Sequence, residues 1–325
     1  MPNEWQPTCS IDMLRLRAQV LNDIRQFFSA RAVLEVETPL LGNSSGTDPQ
    51  LDFFTTDYCS PPLRRTLFLQ TSPEFAMKRL LAAGSGSIYQ IGKAFRNGES
   101  GRFHNPEFTL LEWYRVGFTL TQLMDEIAEL MAILFVGQAL SPTQRCSYQE
   151  VFQRYTGLNP LDFSYQDYCA YAQNNHTPEA VGICGTDHGL WLDFIFSHNV
   201  QPHLGENAVC MVYDYPACQS SLARINECNP LVTDRVEIFI NGIELGNGYY
   251  ELLDAKEQSR RFDEEIAVRQ QRKRPVTVKD KYLVAALEAG LPECSGMAIG
   301  LDRLLMLLTN SATINEVLNF PIHRA

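Results

Sequence analysis

No apolar run in this 325-residue chain approaches the ~18 residues that a membrane span needs. The first ten residues hold Glu4 and two prolines, with no basic region ahead of an apolar stretch, so the N-terminus does not read as a secretory leader. Paired cysteine spacing is missing as well. The nine cysteines are scattered singly with no Cys-x-x-Cys, which argues against a disulfide framework or zinc ribbon and for reduced thiols in the cytoplasm. The six histidines form no His-x-x-x-His or His-Cys grouping, so a zinc site is not expected. No Gly-x-Ser-x-Gly elbow supplies a hydrolase nucleophile, and no Gly-x-Gly-x-x-Gly follows a strand. Positive charge is short: 27 Lys and Arg against 38 Asp and Glu leave −11, the wrong sign for non-specific binding to a phosphate backbone.

What remains is an ordinary globular composition without repeats, low-complexity tracts or a Gly/Ser linker. Ser10 and the apolar spacing from Ile11 to Phe28 predict a capped amphipathic helix. A short strand over 33–39 is stopped by Pro39. A strand over 67–70 and a helix from Ser72-Pro73 to Ala83, with proline in its first turn, come next. Strands at 88–95 and 107–116 flank a polar loop. Residues 120–205 read as several helices. Strands near 209–215, 232–240 and 243–249, a helix over 255–273, and a glycine-bearing segment at 294–303 leading into a helix complete the chain. Hairpin-like strand pairs with long helical excursions predict an α+β fold around a largely antiparallel sheet.

Four segments could carry chemistry. In Phe95-Arg96-Asn97-Gly98-Glu99, running on to Asn105-Pro106-Glu107-Phe108, Arg96 ends a strand where it can hold a phosphate, or form only a surface ion pair. Alternation along the next strand puts Glu112 and Tyr114 on one face and Trp113 on the other. A carboxylate beside a phenol suits an ammonium group, or Glu112 could partner a core arginine. In Gly242 to Leu252 three glycines let a ligand approach the backbone, and Glu244 and Glu251 could share Mg²⁺. The bland alternative there is a β-bulge and turn with solvated acids. In Cys294 to Leu304, small residues at alternate positions flatten one strand face, and Arg303 begins a helix where an anion is favoured. A helix cap made by Asp302 and Arg303 would also account for it. Glu74, in the Thr71-Ser72-Pro73-Glu74 segment, is explained by the helix dipole alone. The basic cluster Arg269–Arg274 reads as a solvated helix end.

Taken in order, these segments resemble the catalytic core of class II aminoacyl-tRNA synthetases of the lysyl branch. Phe28 to Pro39 resembles motif 1, Phe95 to Phe108 motif 2, and Gly296 to Arg303 motif 3. Thr71 to Glu74, and Glu244 to Gly248 with Glu251, resemble the lysyl-type additions. The resemblance spans about 11–310 and implies one class II catalytic domain over 1–325, with a helical insertion near 120–205. It also implies a homodimer built on motif 1. The N-terminal OB-fold domain with which lysyl synthetases grip tRNA has no place here, since the helix leading into motif 1 begins by residue 11. The match is accordingly nearest to the stand-alone paralogues that attach β-lysine to a lysine of elongation factor P, which argues against tRNA as acceptor.

By that resemblance, Arg96 and Arg303 are the catalytic arginines, on the α- and γ-phosphates of ATP. Asn97, Gly98, Glu99, Asn105, Glu244, Leu245 and Gly300 complete the ATP site, and Glu244 and Glu251 hold Mg²⁺. Ser72, Glu74, Glu112, Tyr114, Asn247, Glu251 and Ala298 bind the amino acid. Gly98 stands where the synthetase motif carries an adenine-contacting glutamate, and a small loop shift would let Glu99 take that role. Ala298 replaces a glycine of the lysyl pattern, and its methyl would favour a β-amino over an α-amino group. The same activation chemistry could serve another acceptor, whether tRNA, a small amine or ammonia. A non-catalytic, synthetase-like regulator would be expected to have lost one of Arg96, Arg303, Glu244 or Glu251, and all four are present.

Overall fold

The Ser10 side chain accepts from the Met13 amide at 3.1 Å and starts helix α1, Ile11–Ser29, in the computed structural model, which describes residues 5–325. Helix α1 buries Met13, Val20, Ile24, Phe27 and Phe28 on one side, as its spacing predicts. The strand expected over 33–39 shortens to β1, Leu34–Glu35, paired in parallel with Ile88 and Tyr89. Pro39 has no amide proton with which to extend it. Strands β2 (Leu41–Gly42), β3 (Thr55–Ser60) and β4 (Leu63–Leu69) form a small sheet in the order β2-β4-β3.

Helix α2, Glu74–Ala82, begins one residue later than expected. Pro73 is its cap and offers only a carbonyl, which accepts from Met77 at 3.0 Å. Strands β5 (Ile88–Phe95) and β6 (Glu107–Val116) pair antiparallel over the predicted spans.

The described residues fall into two compact units. One runs to Phe118 and resumes at Leu253, and the other is Thr119–Leu252. The second unit holds the predicted helices as α3 (Leu120–Leu134), α4 (Tyr148–Thr156), α5 (Tyr165–Asn174), α6 (Glu179–Cys184) and α7 (His188–Ile195). A strand that the sequence did not announce, β7 (Ser141–Ser147), precedes α4. Then come β8 (Ala208–Pro216), β9 (Val232–Ile240) and β10 (Ile243–Tyr250), and these strands lie in the order β10-β9-β8-β7. Asn241 and Gly242, both at positive φ (49° and 73°), make the two-residue turn between β9 and β10. Trp191 sits fully buried in this unit's core with Tyr148, Phe152, Phe196, Tyr215 and Phe239.

The first unit resumes with α8 (Ala255–Gln271), α9 (Lys281–Gly290), β11 (Cys294–Gly300) and α10 (Leu301–Thr309). Its main strands run β1-β5-β6-β11. Within each unit the pairings are antiparallel except β1 with β5 and β7 with β8. Trp113 is fully buried under β6 against Phe28 of α1, at 5.5 Å between rings.

One reading changes outright. Arg269 is 1% exposed, so the basic cluster does not end in solvent there. Its guanidinium donates to the carbonyls of Asp48, Leu51 and Pro275 and to the Asp52 carboxylate. A buried cation persists only when its donors are matched in this way. All nine cysteines are free thiols. No helix among the described residues is long and apolar enough to cross a membrane.

Candidate active site

In the first unit the register of β6 against β11 builds a flat face. Ala298 lies opposite Glu112, Gly296 opposite Tyr114 and Gly300 opposite Leu110. Opposed residues share a face, so three small side chains lie beside a carboxylate and a phenol. The Tyr114 hydroxyl donates to Glu112 at 2.7 Å, and both side chains are buried. The expectation that these two share a face, with Trp113 behind, holds.

The loop between β5 and β6 starts with Arg96. The Arg96 amide donates to the Pro106 carbonyl at 2.9 Å, and its guanidinium lies 3.8 Å from Glu99 and 5.0 Å from the centre of the Phe108 ring. Arg96 Nε is buried and has no partner among the described residues, a donor that a phosphate oxygen would satisfy. Gly98, at φ 82°, adopts a backbone that glutamate would hold only with strain, and a Cβ there would meet open space. The Asn97 amide donates to the Asp52 carbonyl at 2.8 Å.

Arg303, in the first turn of α10 after Gly300 as cap, donates to the Phe103 carbonyl at 3.2 Å and to His104 Nε2 at 2.6 Å. His104 is a neighbour that sequence reasoning left without a role. Asp302 does not cap with Arg303. It accepts from Arg17 at 2.6 Å and from the Thr109 amide at 2.7 Å, tying α10 to α1 and β6.

Two expected ligands are already engaged. The Asn105 amide donates to the Glu107 carbonyl and accepts from the Ile322 amide, which fits a loop-shaping role. Glu74 pairs with the buried Lys78 at 2.6 Å, one helical turn on, while Ser72 is half-buried just ahead of α2.

In the second unit the bland reading of the Gly242–Leu252 segment is half right. There is a bulge: Glu244 pairs with Phe239 but Gly246 with Ile238, so Leu245 is the extra residue, with its side chain buried. Seven positions apart in a regular strand, Glu244 and Glu251 would point to opposite faces. The bulge restores them to one face, shared with Asn247 and Tyr249. Glu251 is buried and not a solvated acid. Glu251 lies just past the end of β10, bridged to Ala223.

A further carboxylate close enough to feel Glu244 is Glu237 on β9, opposite Asn247 and on the same face, which sequence reasoning missed. Arg235 and the Tyr215 hydroxyl both donate to it. Burial pushes Glu237 above the ordinary carboxylate range, the Arg235 guanidinium pulls it back, and Glu244 adds repulsion. Arg235 also donates to Asn247 Oδ1 at 3.2 Å, while the Asn247 amide donates to Tyr249 at 2.7 Å. No group of three or more His, Cys, Asp or Glu gathers as a metal site among the described residues. Glu244 and Glu251, brought to one face, are the donor type that suits Mg²⁺, which takes one or two carboxylates plus phosphates and keeps its waters.

Residues 8–324 match the family model described as tRNA synthetases class II (D, K and N). The chain is 45% identical over 326 residues to a protein of Vibrio cholerae serotype O1 named elongation factor P–(R)-β-lysine ligase, with 99% of each chain covered. A protein of the same name from Haemophilus ducreyi is 45% identical over 325 residues, covering 99% of this chain and 97% of its own. One from Pasteurella multocida is 43% identical over 323 residues, at 99% and 98%. Strand register, paired arginines and glycine-lined face thus occur in a chain that matches one family model almost end to end, and it belongs to the class II tRNA synthetases of the D, K and N group.

Proposed function

We propose that this chain activates (R)-β-lysine with ATP and transfers it to a lysine side chain of elongation factor P. The observation that carries the reading is the near-complete match to relatives bearing that name, in a chain that keeps both phosphate-type arginines and the Glu112–Tyr114 pair. Glu112, Tyr114, Glu74, Asn247 and Glu251 bind the two ammonium groups. The Ala298 methyl beside Glu112 narrows the floor where an α-amino group would sit, and steric differences of this size shift selectivity by about 1–3 kcal/mol.

ATP lies with its α-phosphate on Arg96 and its γ-phosphate on Arg303, and Glu99, next to Gly98, contacts the base. Leu245 acts through its main chain, since its side chain is buried. The amino-acid carboxylate attacks the α-phosphorus, pyrophosphate leaves, and the product is the mixed anhydride. A neutral amine of the acceptor then attacks the carbonyl and releases AMP. Arg96 and Arg303 act by placing and stabilising charge that develops on phosphate oxygens, with no covalent protein intermediate. Glu244 and Glu251 would hold Mg²⁺, which neutralises phosphate charge when bound. The setting is cytoplasmic, and the enzyme is a homodimer through the motif 1 region.

Pyrophosphate exchange with (R)-β-lysine and with α-lysine, followed by transfer to elongation factor P or to tRNA, tests the reading. Exchange preferring β-lysine and label on elongation factor P is the expected result. Exchange with neither isomer, or label on tRNA alone, would sink it.

A further inference from the structure

The cations at the end of α8 have a fixed shape that a solvated helix end would not need. Lys273 closes the helix in a left-handed backbone, φ 54°, where glycine or asparagine costs less, and the Arg274 amide donates back to the Arg269 carbonyl at 2.9 Å. Beneath it the buried Arg269 holds one oxygen of Asp52, and Arg274 holds the other at 2.8 Å. Beyond Pro275 the chain alternates. Thr277 turns inward to donate to the Ser45 carbonyl, while Val276 and Val278 face outward, 69% and 55% exposed. At the start of α9, Tyr282 is 49% exposed and lies 5.1 Å from the Arg79 guanidinium and 5.3 Å from the Lys281 ammonium.

From Arg272 to Tyr282 there are five cations and one carboxylate, Asp280, which is buried and caps α9. Arg274 pairs with Asp52 and Lys279 with Asp263, and Lys273 and Lys281 carry no carboxylate partner among the described residues. The strip is tied to the site, since the Asp52 carbonyl that accepts from Asn97 belongs to the residue holding Arg269 and Arg274.

We propose that this strip docks the protein acceptor, which meets it with acidic side chains around an apolar contact. The proposal rests on the protein-ligase reading above. A chain of net charge −11 repels an acidic partner over most of its surface, so a local basic strip would steer that partner to one place. Cations pinned by a closed helix end lose little freedom on binding. The exposed valines and tyrosine give a protein surface a contact that the phosphates of a nucleic acid would not use.

The test compares the full chain with a Lys273→Glu/Lys281→Glu variant and with Val276→Ser. Pyrophosphate exchange should be unchanged in both, which also reports that they fold. At low ionic strength the KM for elongation factor P should rise at least fivefold in the charge variant and less in Val276→Ser, and about 0.5 M salt should close the gap for the charge variant alone. An unchanged KM alongside normal charging by the parent chain would overturn the docking surface and leave the ligase reading intact. Failure of the parent chain to charge elongation factor P would overturn both. Competition by RNA that the charge variant relieves would mark the strip as a nucleic-acid site instead.

Discussion

Glu112 and Glu237 are buried carboxylates on two strand faces, one in each unit, and they are held in different ways. Each has a partner two residues along its own strand, where alternation brings side chains together. For Glu112 that partner is the phenol of Tyr114, which lends a hydrogen bond without a charge. For Glu237 it is the guanidinium of Arg235, with a second donor from Tyr215. The first arrangement sits in unbroken register between β5, β6 and β11. The second lies beside a bulge that changes which residues of β10 share its face. Regular register makes a site from alternation alone, whereas a bulge makes one from an odd spacing.

The largest break in this comparison comes from the first unit's phosphate loop. Arg96→Ala should lower pyrophosphate exchange by about 10²–10³-fold, the usual cost of removing a donor aimed at developing charge. Near-normal exchange would remove Arg96 from the chemistry. Glu244→Gln probes the second unit at the residue beside the bulge, by removing the carboxylate charge proposed to hold Mg²⁺. Exchange should fall by about 10²-fold while circular dichroism stays native, since a metal ligand is lost without a change of shape. Retained exchange would mean that Glu244 is not used.

Tyr114→Phe is the finer probe of the first face. It removes one buried hydrogen bond to a carboxylate, about 1.5–3 kcal/mol, and should raise the KM for the amino acid about tenfold or more with kcat less affected. An unchanged KM would assign the pair to stability alone. The smallest effect concerns Glu265, hydrogen-bonded by Thr47, where burial, with Asp48 and Glu74 adding repulsion, pushes the carboxyl up to about 7. A carboxyl raised in the folded state binds its proton more tightly there than in the unfolded chain. Its contribution to stability is therefore present below about pH 4.5 and is lost as pH rises through about 7. Thermal melts from pH 5 to 8 should show this decline, and Glu265→Gln should flatten it. An identical slope in the variant would exclude Glu265 as its source.

Much of the first face was legible because β6 and β11 obey strict alternation, so Glu112, Tyr114, Ala298 and the glycines could be placed by parity. The first helix was legible where Ser10 caps it, and α8 was legible without its cap, Asp254, being recognised. Three things were not. The bulge at Leu245 depends on pairing with β9, which no local pattern of β10 reveals. Glu237 looked like one more acid in a strand, and its partner Tyr215 comes from β8 by long-range pairing. Arg269 looked like a helix-end cation, because the carbonyls of Asp48 and Leu51 that bury it lie more than two hundred residues earlier.

Trp113 and Trp191 are both fully buried, one in each unit, while Trp5 is 76% exposed. The indole emission of the folded chain is thus a sum of two dry chromophores and one wet one, and only the dry pair changes colour on melting. With Trp5 and one of the others replaced by phenylalanine, the red shift that remains belongs to a single unit. Whether the two units come apart together or in turn is written in the protein's own fluorescence.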